Sequence, residues 1–299
     1  MNNITQKKIT IIGLGPMGQA MAKVFVSHGY KTTVWNRTKR KAEELAKSGA
    51  IHAPEIEDAL KTSRLVLVSL TDYRIMYDVL KNHTHALEGK VIVNLSSDTP
   101  EAAREASRWA KKYGAEFLTG GIMADPPMVG KEGSYVLYSG DEALFKQYQP
   151  TLSMLGRADY VGADAGTAML YYQALLDILF SGAIGVLHAM ALVTSSKIPA
   201  GNFEPYVIEM LNSLSYFFTE MAHEIENKSY DGNMNNMNMM TASMKHLVQA
   251  SNDAGIDTQL PTTILNIFKR TLEAGHGESG LTSLIEILME KEAALEDKL

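Results

Sequence analysis

The sequence predicts an α/β domain with a doubly wound, largely parallel sheet, followed by a long helix and an all-helical domain. Up to about residue 160, short apolar runs bounded by turn residues alternate with amphipathic helical patterns, as in the crossover units of a parallel sheet. A glycine-rich turn follows the first apolar run. After residue 163 the strand patterns stop, and Met, Leu and Ala recur at helical spacing.

Six runs have the length and composition of buried strands: KITIIGL, KTTVWN, LVLVSL, KVIVNLS, AEFLTG and SYVLYSG. The helical patterns between them include QAMAKVFVSHG, KRKAEELAKSG, IEDALKTS and PEAAREASRWAKKYG. One long helix is predicted from about Asp164 to Ser195, roughly 45 Å at ~1.5 Å per residue. We therefore expect a sheet domain over 1–163, an interdomain helix over 164–195 and a helical domain over 196–299.

Composition excludes several classes of function. The chain has 299 residues, 45% hydrophobic and 21% charged, which predicts an ordinary globular protein of two domains. A net charge of -6 provides no field for holding nucleic acid. The chain contains no cysteine, which excludes disulfides and thiolate sites and fits a cytoplasmic protein. Its eight histidines are scattered without ligand spacing, so we expect no metal site.

One stretch resembles a membrane span by composition. Residues 174–193, ALLDILFSGAIGVLHAMALV, approach the ~20 apolar residues that cross a bilayer. Asp177 and His188 would then lie in hydrocarbon, and no basic cluster flanks the stretch. We therefore predict a helix buried on all sides by protein rather than a membrane anchor. His188 is interpreted as a core histidine.

The glycine turn predicts a dinucleotide site. In ITIIGLGPMGQAMAKVF, Gly13, Gly15 and Gly18 follow the first strand and open the first helix. The first glycine allows the tight turn, the second lets the backbone approach a pyrophosphate, and the third lets helix and strand pack closely. This predicts a Rossmann fold, with the phosphates bound at the helix N-terminus; the alternative is a structural turn without a ligand. The intervening residues of the loop belong to the predicted site: Leu14, Pro16 and Met17.

The second strand, KTTVWNRTKRK, indicates which dinucleotide binds. NAD-binding domains place a carboxylate here for the ribose 2′-hydroxyl, whereas an arginine accommodates the 2′-phosphate of NADP. This chain has Asn36, Arg37, Thr38 and Lys41. The guanidinium can hold a phosphate through two hydrogen bonds, so NADPH is predicted. Alternatively, Arg37 and Lys41 are solvated charges at a helix start.

Two further strand ends are candidate contacts, because ligands bind at the carboxyl edge of such sheets. Ser96 and Ser97 follow KVIVNL and are expected at the nicotinamide ribose or the substrate, or else cap the helix before Pro100. Asn94 is a candidate for the nicotinamide carboxamide. The loop Leu70–Asp72 is expected near the adenosine or ribose, with Asp72 alternatively a helix cap.

The combination of motifs resembles the imine reductases, relatives of the β-hydroxyacid dehydrogenases. It is carried by GLGPMG (13–18), VWNRT (34–38) with Lys41, NLSSDTP (94–100), GGIMADP (120–126) and LYYQALLD (170–177). The resemblance runs nearly end to end and agrees with the predicted architecture. It implies NADPH, a small-molecule imine substrate and homodimers that exchange helical domains. Each active site would lie between one subunit's cofactor domain and the other's helices.

Departures from the parent dehydrogenases indicate the chemistry. Those enzymes carry a lysine on the interdomain helix, but here no Lys or Arg occurs between Arg157 and Lys197. The matching position is Tyr171 or Tyr172, and the imine reductase register favours Tyr172 as the catalytic residue. Their serine-glycine-glycine loop is replaced by Ile122-Met123-Ala124, which places Met123 among the cofactor contacts.

A neutral phenol suits a cationic iminium, which a nearby ammonium would repel in a low-dielectric cleft. Tyr172 is expected to orient the substrate nitrogen and relay a proton, and the resemblance links tyrosine here with (S)-selective reduction of small cyclic imines. A dehydrogenase of carbonyl compounds or hydroxyacids and a non-catalytic NADPH-binding protein stay open as alternatives.

A methionine stripe occurs near residue 240. Met234, Met237, Met240 and Met244 fall at helical spacing. The stripe is either core or, because methionine is flexible and polarisable, the lining of a pocket for apolar amines.

Overall fold

A computed structural model describes residues 7–290 of the chain. Contacts divide the chain into two compact units, one ending at Ile178 and the next starting at Leu179. This division falls within the long helix, so the domain ranges derived from the sequence stay predictions.

The first unit is built on one sheet. In the part of the chain that the structure describes, its eight strands have the order β3-β2-β1-β4-β5-β6-β7-β8. Neighbouring strands are parallel except β6 and β7, which are antiparallel. The strands are β1 Lys8–Ile12, β2 Lys31–Trp35, β3 Ile51–His52, β4 Leu65–Val68, β5 Val91–Asn94, β6 Glu116–Met123, β7 Tyr135–Gly140 and β8 Arg157–Gly162. The sheet is therefore mixed rather than wholly parallel, and it contains two strands, β3 and β8, that the sequence patterns did not reveal.

Helices cover both faces of this sheet, as a doubly wound fold requires. They are α1 Pro16–Ser27, α2 Lys39–Ala46, α3 Ile56–Thr62, α4 Tyr73–Leu80, α5 Pro100–Lys112 and α6 Glu142–Leu152. Successive side chains of a strand point to opposite faces of the sheet and pack into two separate cores. Ile9 and Ile11 pack with the α1 side chain Phe25 on one face, whereas Ile12 packs with the α4 side chain Met76 on the other.

The rest of the described chain is helical. Its helices are α7 Thr167–Ser195, α8 Ala200–Leu214, α9 Phe218–Asn227, α10 Met237–Asp253, α11 Gln259–Glu273 and α12 Leu284–Met289. A Rossmann sheet, a long helix and a helical C-terminal domain are thus the architecture that the sequence predicted. α7 starts at Thr167, three residues after the expected start, because the Asp164 carboxylate accepts a hydrogen bond from the Gly166 amide and closes a turn there.

The predicted burial of α7 is wrong within the single chain. α7 is long and apolar enough to cross a membrane. Its 18-residue apolar stretch has a mean hydropathy of 1.9, yet no residue of that stretch is buried. Phe180 is 61% exposed and Leu187 is 64% exposed. Large apolar surfaces of this kind mark an interaction site. The sequence pattern records only that the helix is apolar, not which molecule covers it.

Candidate cofactor and active site

The glycine turn has the close contacts that its spacing predicts. Gly13 has a φ of +94°, which favours glycine, and a Cβ there would overlap the Ser69 carbonyl. A Cβ at Gly18 would overlap the Gly13 carbonyl, so Gly18 brings α1 close to β1. Gly15 differs, because a Cβ there would meet no atom within 4 Å. Its bare backbone therefore faces open space in which a phosphate can approach.

An open cleft of about 430 Å³ follows this turn along the carboxyl edge of the sheet. Its size and its position at a helix N-terminus fit a dinucleotide. Ten of the predicted cofactor residues line it: Gly13, Leu14, Gly15, Pro16, Met17, Asn36, Arg37, Thr38, Lys41 and Leu70. Gly18 supports the turn from below instead. Thr71, from the predicted loop Leu70–Asp72, also lines the cleft, and the sequence analysis missed four lining residues: Trp35, Ser69, Ile75 and Val79.

The missed residues include an apolar wall. Ile75 and Val79 are four apart on α4, and therefore adjacent on one face of that helix. The Asp72 side chain caps α4 by accepting from the Ile75 amide at 2.8 Å, which settles the alternative for Asp72 in favour of a cap. An i,i+4 apolar pair in the helix that follows β4 was the available signal for these two residues.

Unpaired positive charge lies at the end of the cleft beyond β2. Arg37 and Lys41 form no ion pair with any residue from 7 to 290, whereas the neighbouring Lys39 and Arg40 pair with Glu55 and Glu44. The cations that line the cleft are thus the two without a carboxylate partner. A 2′-phosphate would supply the missing anion, and no carboxylate is present here to select a 2′-hydroxyl.

Asn36 holds the glycine turn rather than a phosphate. Its Oδ1 accepts a hydrogen bond from the Leu14 amide at 2.9 Å, and its Nδ2 donates to the Thr38 carbonyl at 3.1 Å. This side chain therefore links the phosphate loop to the turn that presents Arg37. The glycine turn suits the pyrophosphate of NADPH, and the cations Arg37 and Lys41 suit its 2′-phosphate.

The predicted contacts of Asn94, Ser96 and Met123 are not part of this cleft. Asn94 is fully buried; its Nδ2 lies 3.3 Å from the Met76 sulfur and its Oδ1 accepts from the Ser96 amide. In the single chain the Asn94 amide thus contacts protein atoms below the loop, as buried polar groups generally do. Ser96 Oγ accepts from the Leu70 amide at 3.0 Å, which ties two ligand-facing loops together. Partly exposed Met123 ends β6.

The first turns of α7 are anchored to the sheet domain. Buried Ser139 accepts from the Ala168 amide and donates to the Ala165 carbonyl, both at 3.0 Å. Arg104 Nε lies 3.0 Å from both carboxylate oxygens of Asp164 and lowers the pKa of that carboxyl below its usual range. These contacts fix the register of the helix that carries the tyrosine pair.

The two tyrosines have different environments. Tyr172 is half-buried and packs on the core that contains Ile12 and Met76. It lies directly over Gly121, where a Cβ would come within 2.9 Å of the Tyr172 Cβ. Tyr171 is 51% exposed and points away, about 100° round the helix. Tyr172 is therefore the tyrosine held against the carboxyl half of β6.

No metal site accompanies the cleft among the described residues. His188 Nε2 lies 3.0 Å from the Asp257 carbonyl, so its imidazole contacts a backbone acceptor, and the residue is partly buried in the single chain rather than in a core. In the methionine stripe, Met237 is buried while Met234 is 87% exposed. α10 begins at Met237, so Met234 precedes the helix.

Two family models match almost the whole chain. The description "NAD binding domain of 6-phosphogluconate dehydrogenase" matches residues 8–166, and "NADPH-dependent reductive aminase-like, C-terminal domain" matches residues 164–290. An NADPH-dependent reductive aminase from Aspergillus oryzae is 34% identical over 94% of this chain and 96% of its own length. The chain belongs to the imine reductase and reductive aminase family.

Solved structures agree with this membership. An imine reductase from Bacillus cereus is 44% identical, with a TM-score of 0.89 over 95% of this chain and 100% of the other. A reductive aminase from Aspergillus terreus, in complex with NADPH4, cyclohexanone and allyl amine, is 34% identical with a TM-score of 0.89 over 95% and 99% of the two chains. The predicted resemblance, the cofactor NADPH and the class of oxidoreductase acting on C=N bonds are confirmed for this imine reductase family member.

Proposed function

We propose that this chain is a cytoplasmic enzyme that reduces small cyclic imines, such as pyrrolines, to amines with (S)-selectivity, and that Tyr172 acts at the substrate nitrogen. The observation that carries the proposal is the placement of Tyr172: a phenol held over Gly121, on a helix that carries no Lys or Arg. The (S)-preference rests on the family resemblance of a tyrosine at this position.

The chemistry follows from the charge state of the reacting group. NADPH, when bound, supplies the hydride. The protein then has to hold a cationic C=N without repelling it, and a neutral phenol provides a hydrogen bond without a positive charge. Where the imine is still neutral, the Tyr172 hydroxyl can instead pass a proton to the substrate nitrogen, directly or through water, and the resulting phenolate regains a proton from solvent. Arg37 and Lys41 line the cofactor cleft, which does not include Tyr172, and their charges are available to the cofactor's 2′-phosphate.

A hydroxyacid substrate is disfavoured by the same residues. An anionic carboxylate and a hydroxyl proton would require a cation or a base on α7, and the helix supplies neither lysine nor arginine from Thr167 to Ser195. Met123 at the end of β6 and Ala124 directly after it cannot bind a carboxylate through their side chains. A non-catalytic NADPH-binding role would leave the placement of Tyr172 without a purpose.

A homodimer with exchanged helical domains is part of the proposal. The exposed apolar side chains of α7 include Ile178, Leu179, Phe180, Ile184 and Leu187. A second set extends from α8 to the start of α9: Tyr206, Ile208, Met210, Leu211, Leu214, Phe217 and Phe218. A second copy of the chain can bury this surface, whereas a bilayer would have to accommodate Asp177 and the polar edge of His188.

A substrate panel tests the proposal. The protein is mixed with NADPH and, separately, with 2-methyl-1-pyrroline, a ketone plus an amine, a ketoacid and, with NADP⁺, a hydroxyacid, while cofactor absorbance is followed. We expect turnover of the pyrroline to exceed that of the ketoacid and hydroxyacid, with the (S)-amine as the main product by chiral chromatography. Preferred turnover of the ketoacid would favour the dehydrogenase alternative, and cofactor binding without any turnover would favour the non-catalytic one.

A further inference from the structure

Gln173 connects the tyrosine-bearing helix to the loop after β5. Its Nε2 donates a hydrogen bond to the Asp98 carbonyl at 2.8 Å and lies 3.4 Å from Ser97 Oγ. Gln173 and Ser97 are both half-buried. These contacts link α7 to that loop through a polar side chain, and they start at the residue next to Tyr172.

The orientation of the Gln173 amide follows from its partner. A backbone carbonyl can only accept, so the NH₂ group, not the oxygen, must face Asp98. The same NH₂ group reaches Ser97, whose oxygen therefore accepts. With its oxygen occupied in this way, the Ser97 hydroxyl proton points away from Gln173 and is free to donate elsewhere.

The loop that Gln173 holds is itself fixed from the other side. The Asp98 carboxylate accepts hydrogen bonds from the Tyr73 amide at 3.1 Å and from the Thr99 amide at 2.7 Å. Asp98 thus connects two helices: its carboxylate binds α4, which lines the cofactor cleft, and its carbonyl binds α7, which carries Tyr172. A change at Gln173 would release α7 from this connection while leaving the cofactor cleft, which Gln173 does not line, unchanged.

We propose that Gln173 is a positioning residue: its carboxamide sets the distance between the Tyr172 phenol and the β5 loop and orients the Ser97 hydroxyl toward the ligand. This inference rests on the proposed function, because the geometry it sets is that of imine reduction. Catalysis depends steeply on such geometry, since a misplacement of about 1 Å can cost up to ~10²-fold in rate.

Two substitutions test the role, with the full-length protein, NADPH and 2-methyl-1-pyrroline. Gln173→Met keeps the length of the side chain but removes the donor. We expect kcat to fall roughly two- to tenfold, the range for a lost neutral hydrogen bond, while KM for the pyrroline and Kd for NADPH stay at wild-type values. Equal losses in kcat, cofactor affinity and thermal unfolding temperature would show a merely structural role and overturn the proposal.

Gln173→Glu gives a readout that packing alone would not change. As a carboxylate it would repel the Asp98 carbonyl, whereas its protonated form can donate to that oxygen. The ratio of variant to wild-type kcat should therefore rise as pH falls, and the ratio removes the pH dependence of the imine and of Asp98. Gln147→Glu, an exposed glutamine on α6, is the matched control and should give a flat ratio.

The outcomes distinguish a failure of the positioning role from a failure of the proposed function. A flat ratio for Gln173→Glu, or a Gln173→Met enzyme with wild-type kcat, would overturn the positioning role while leaving the proposed function intact. A wild-type protein that reduces no imine would overturn the proposed function and this inference together. If Gln173→Met does not fold, the pH ratio of Gln173→Glu alone decides.

Discussion

Gly121 lies so close beneath Tyr172 that a Cβ atom at position 121 would come within 2.9 Å of the Tyr172 Cβ and 3.3 Å of the Ala168 carbonyl oxygen. The absence of one side chain on β6 thus allows α7 to approach the sheet and brings its phenol to the strand ends. Glycine is required here for close packing rather than for an unusual backbone angle. The height of α7 above the sheet therefore depends on this residue.

Gly121→Ala should separate α7 from β6. Inserting a methyl group into so tight a contact costs ~1–3 kcal/mol of stability, and the displaced Tyr172 should lower kcat at least tenfold. NADPH affinity should stay near wild type, because Gly121 does not line the cofactor cleft. The measurements are imine turnover and cofactor titration. Gly201→Ala on α8, where a Cβ meets no atom within 4 Å of its own chain, is the control; wild-type turnover in Gly121→Ala would contradict the prediction.

Arg37→Ala should weaken NADPH binding much more than NADH binding. Only NADPH presents a phosphate to the unpaired guanidinium, and loss of a hydrogen bond to a charged group costs ~1.5–3 kcal/mol, roughly tenfold to more than a hundredfold in affinity. Fluorescence titration with both cofactors measures the effect. Arg40→Ala is the matched control, because Arg40 already pairs with Glu44 at 3.6 Å and lies outside the cleft. Equal weakening of both cofactors by Arg37→Ala would exclude a 2′-phosphate contact.

The exposed face of α7 should be an interface between two copies. We expect a homodimer that buries well over ~2,000 Å², measured as a dimer mass by analytical ultracentrifugation at micromolar concentration. Phe180→Glu should shift the mass toward the monomer, because it places a charge in an apolar contact. Glu43→Lys on the exposed side of α2 should not change the mass. A wild-type monomer would rule out the dimer.

Sequence periodicity predicted most of the first unit because its strands are short, apolar and separated by helices. It missed β3, which is only Ile51–His52, and β8, whose residues Arg157–Gly162 are all partly or fully exposed, because neither has a buried face to leave a pattern. It also left the direction of β7 undetermined. β6 and β7 are joined by the short stretch 124–134, and a parallel connection needs a crossover of about a dozen residues or more.

The candidate site was predicted best where backbone geometry restricts the residue type. Gly13 and Gly18 could be assigned because only glycine fits their contacts. The role of Asn94 stays a prediction, because a polar residue at a strand end can face the ligand or the loop below it, and the sequence does not distinguish the two. Gln173 was not predicted at all, since its partner, the Asp98 carbonyl, is a backbone group that carries no sequence signal.

Tyr230 should make stability sensitive to alkaline pH. Its hydroxyl donates to the Glu286 carboxylate, and this hydrogen bond raises the pKa of Tyr230 to about 12. A group whose folded-state pKa is raised contributes stability below its unfolded pKa of ~10 and loses it as pH rises through the folded value. The urea midpoint of wild type should therefore exceed that of Tyr230→Phe near neutral pH, and the difference should vanish by about pH 12. Tyr216→Phe, an 81% exposed tyrosine, should show no such difference; a gap for Tyr230→Phe that is constant with pH would refute the link.

Tyr172→Phe removes one hydroxyl and should leave the fold and the NADPH affinity intact. If the phenol serves the reaction, turnover of 2-methyl-1-pyrroline should fall, by up to the ~10²–10⁴-fold that general acid-base groups contribute. The loss should grow with pH, because an iminium that is already protonated in solution needs no donor, whereas the neutral imine that dominates above its own pKa does. Rates are therefore compared from neutral to alkaline pH, with Tyr171→Phe as the control, since Tyr171 is half exposed and points away. A Tyr172→Phe enzyme with the wild-type rate across that range would leave Tyr172 only a packing role over Gly121.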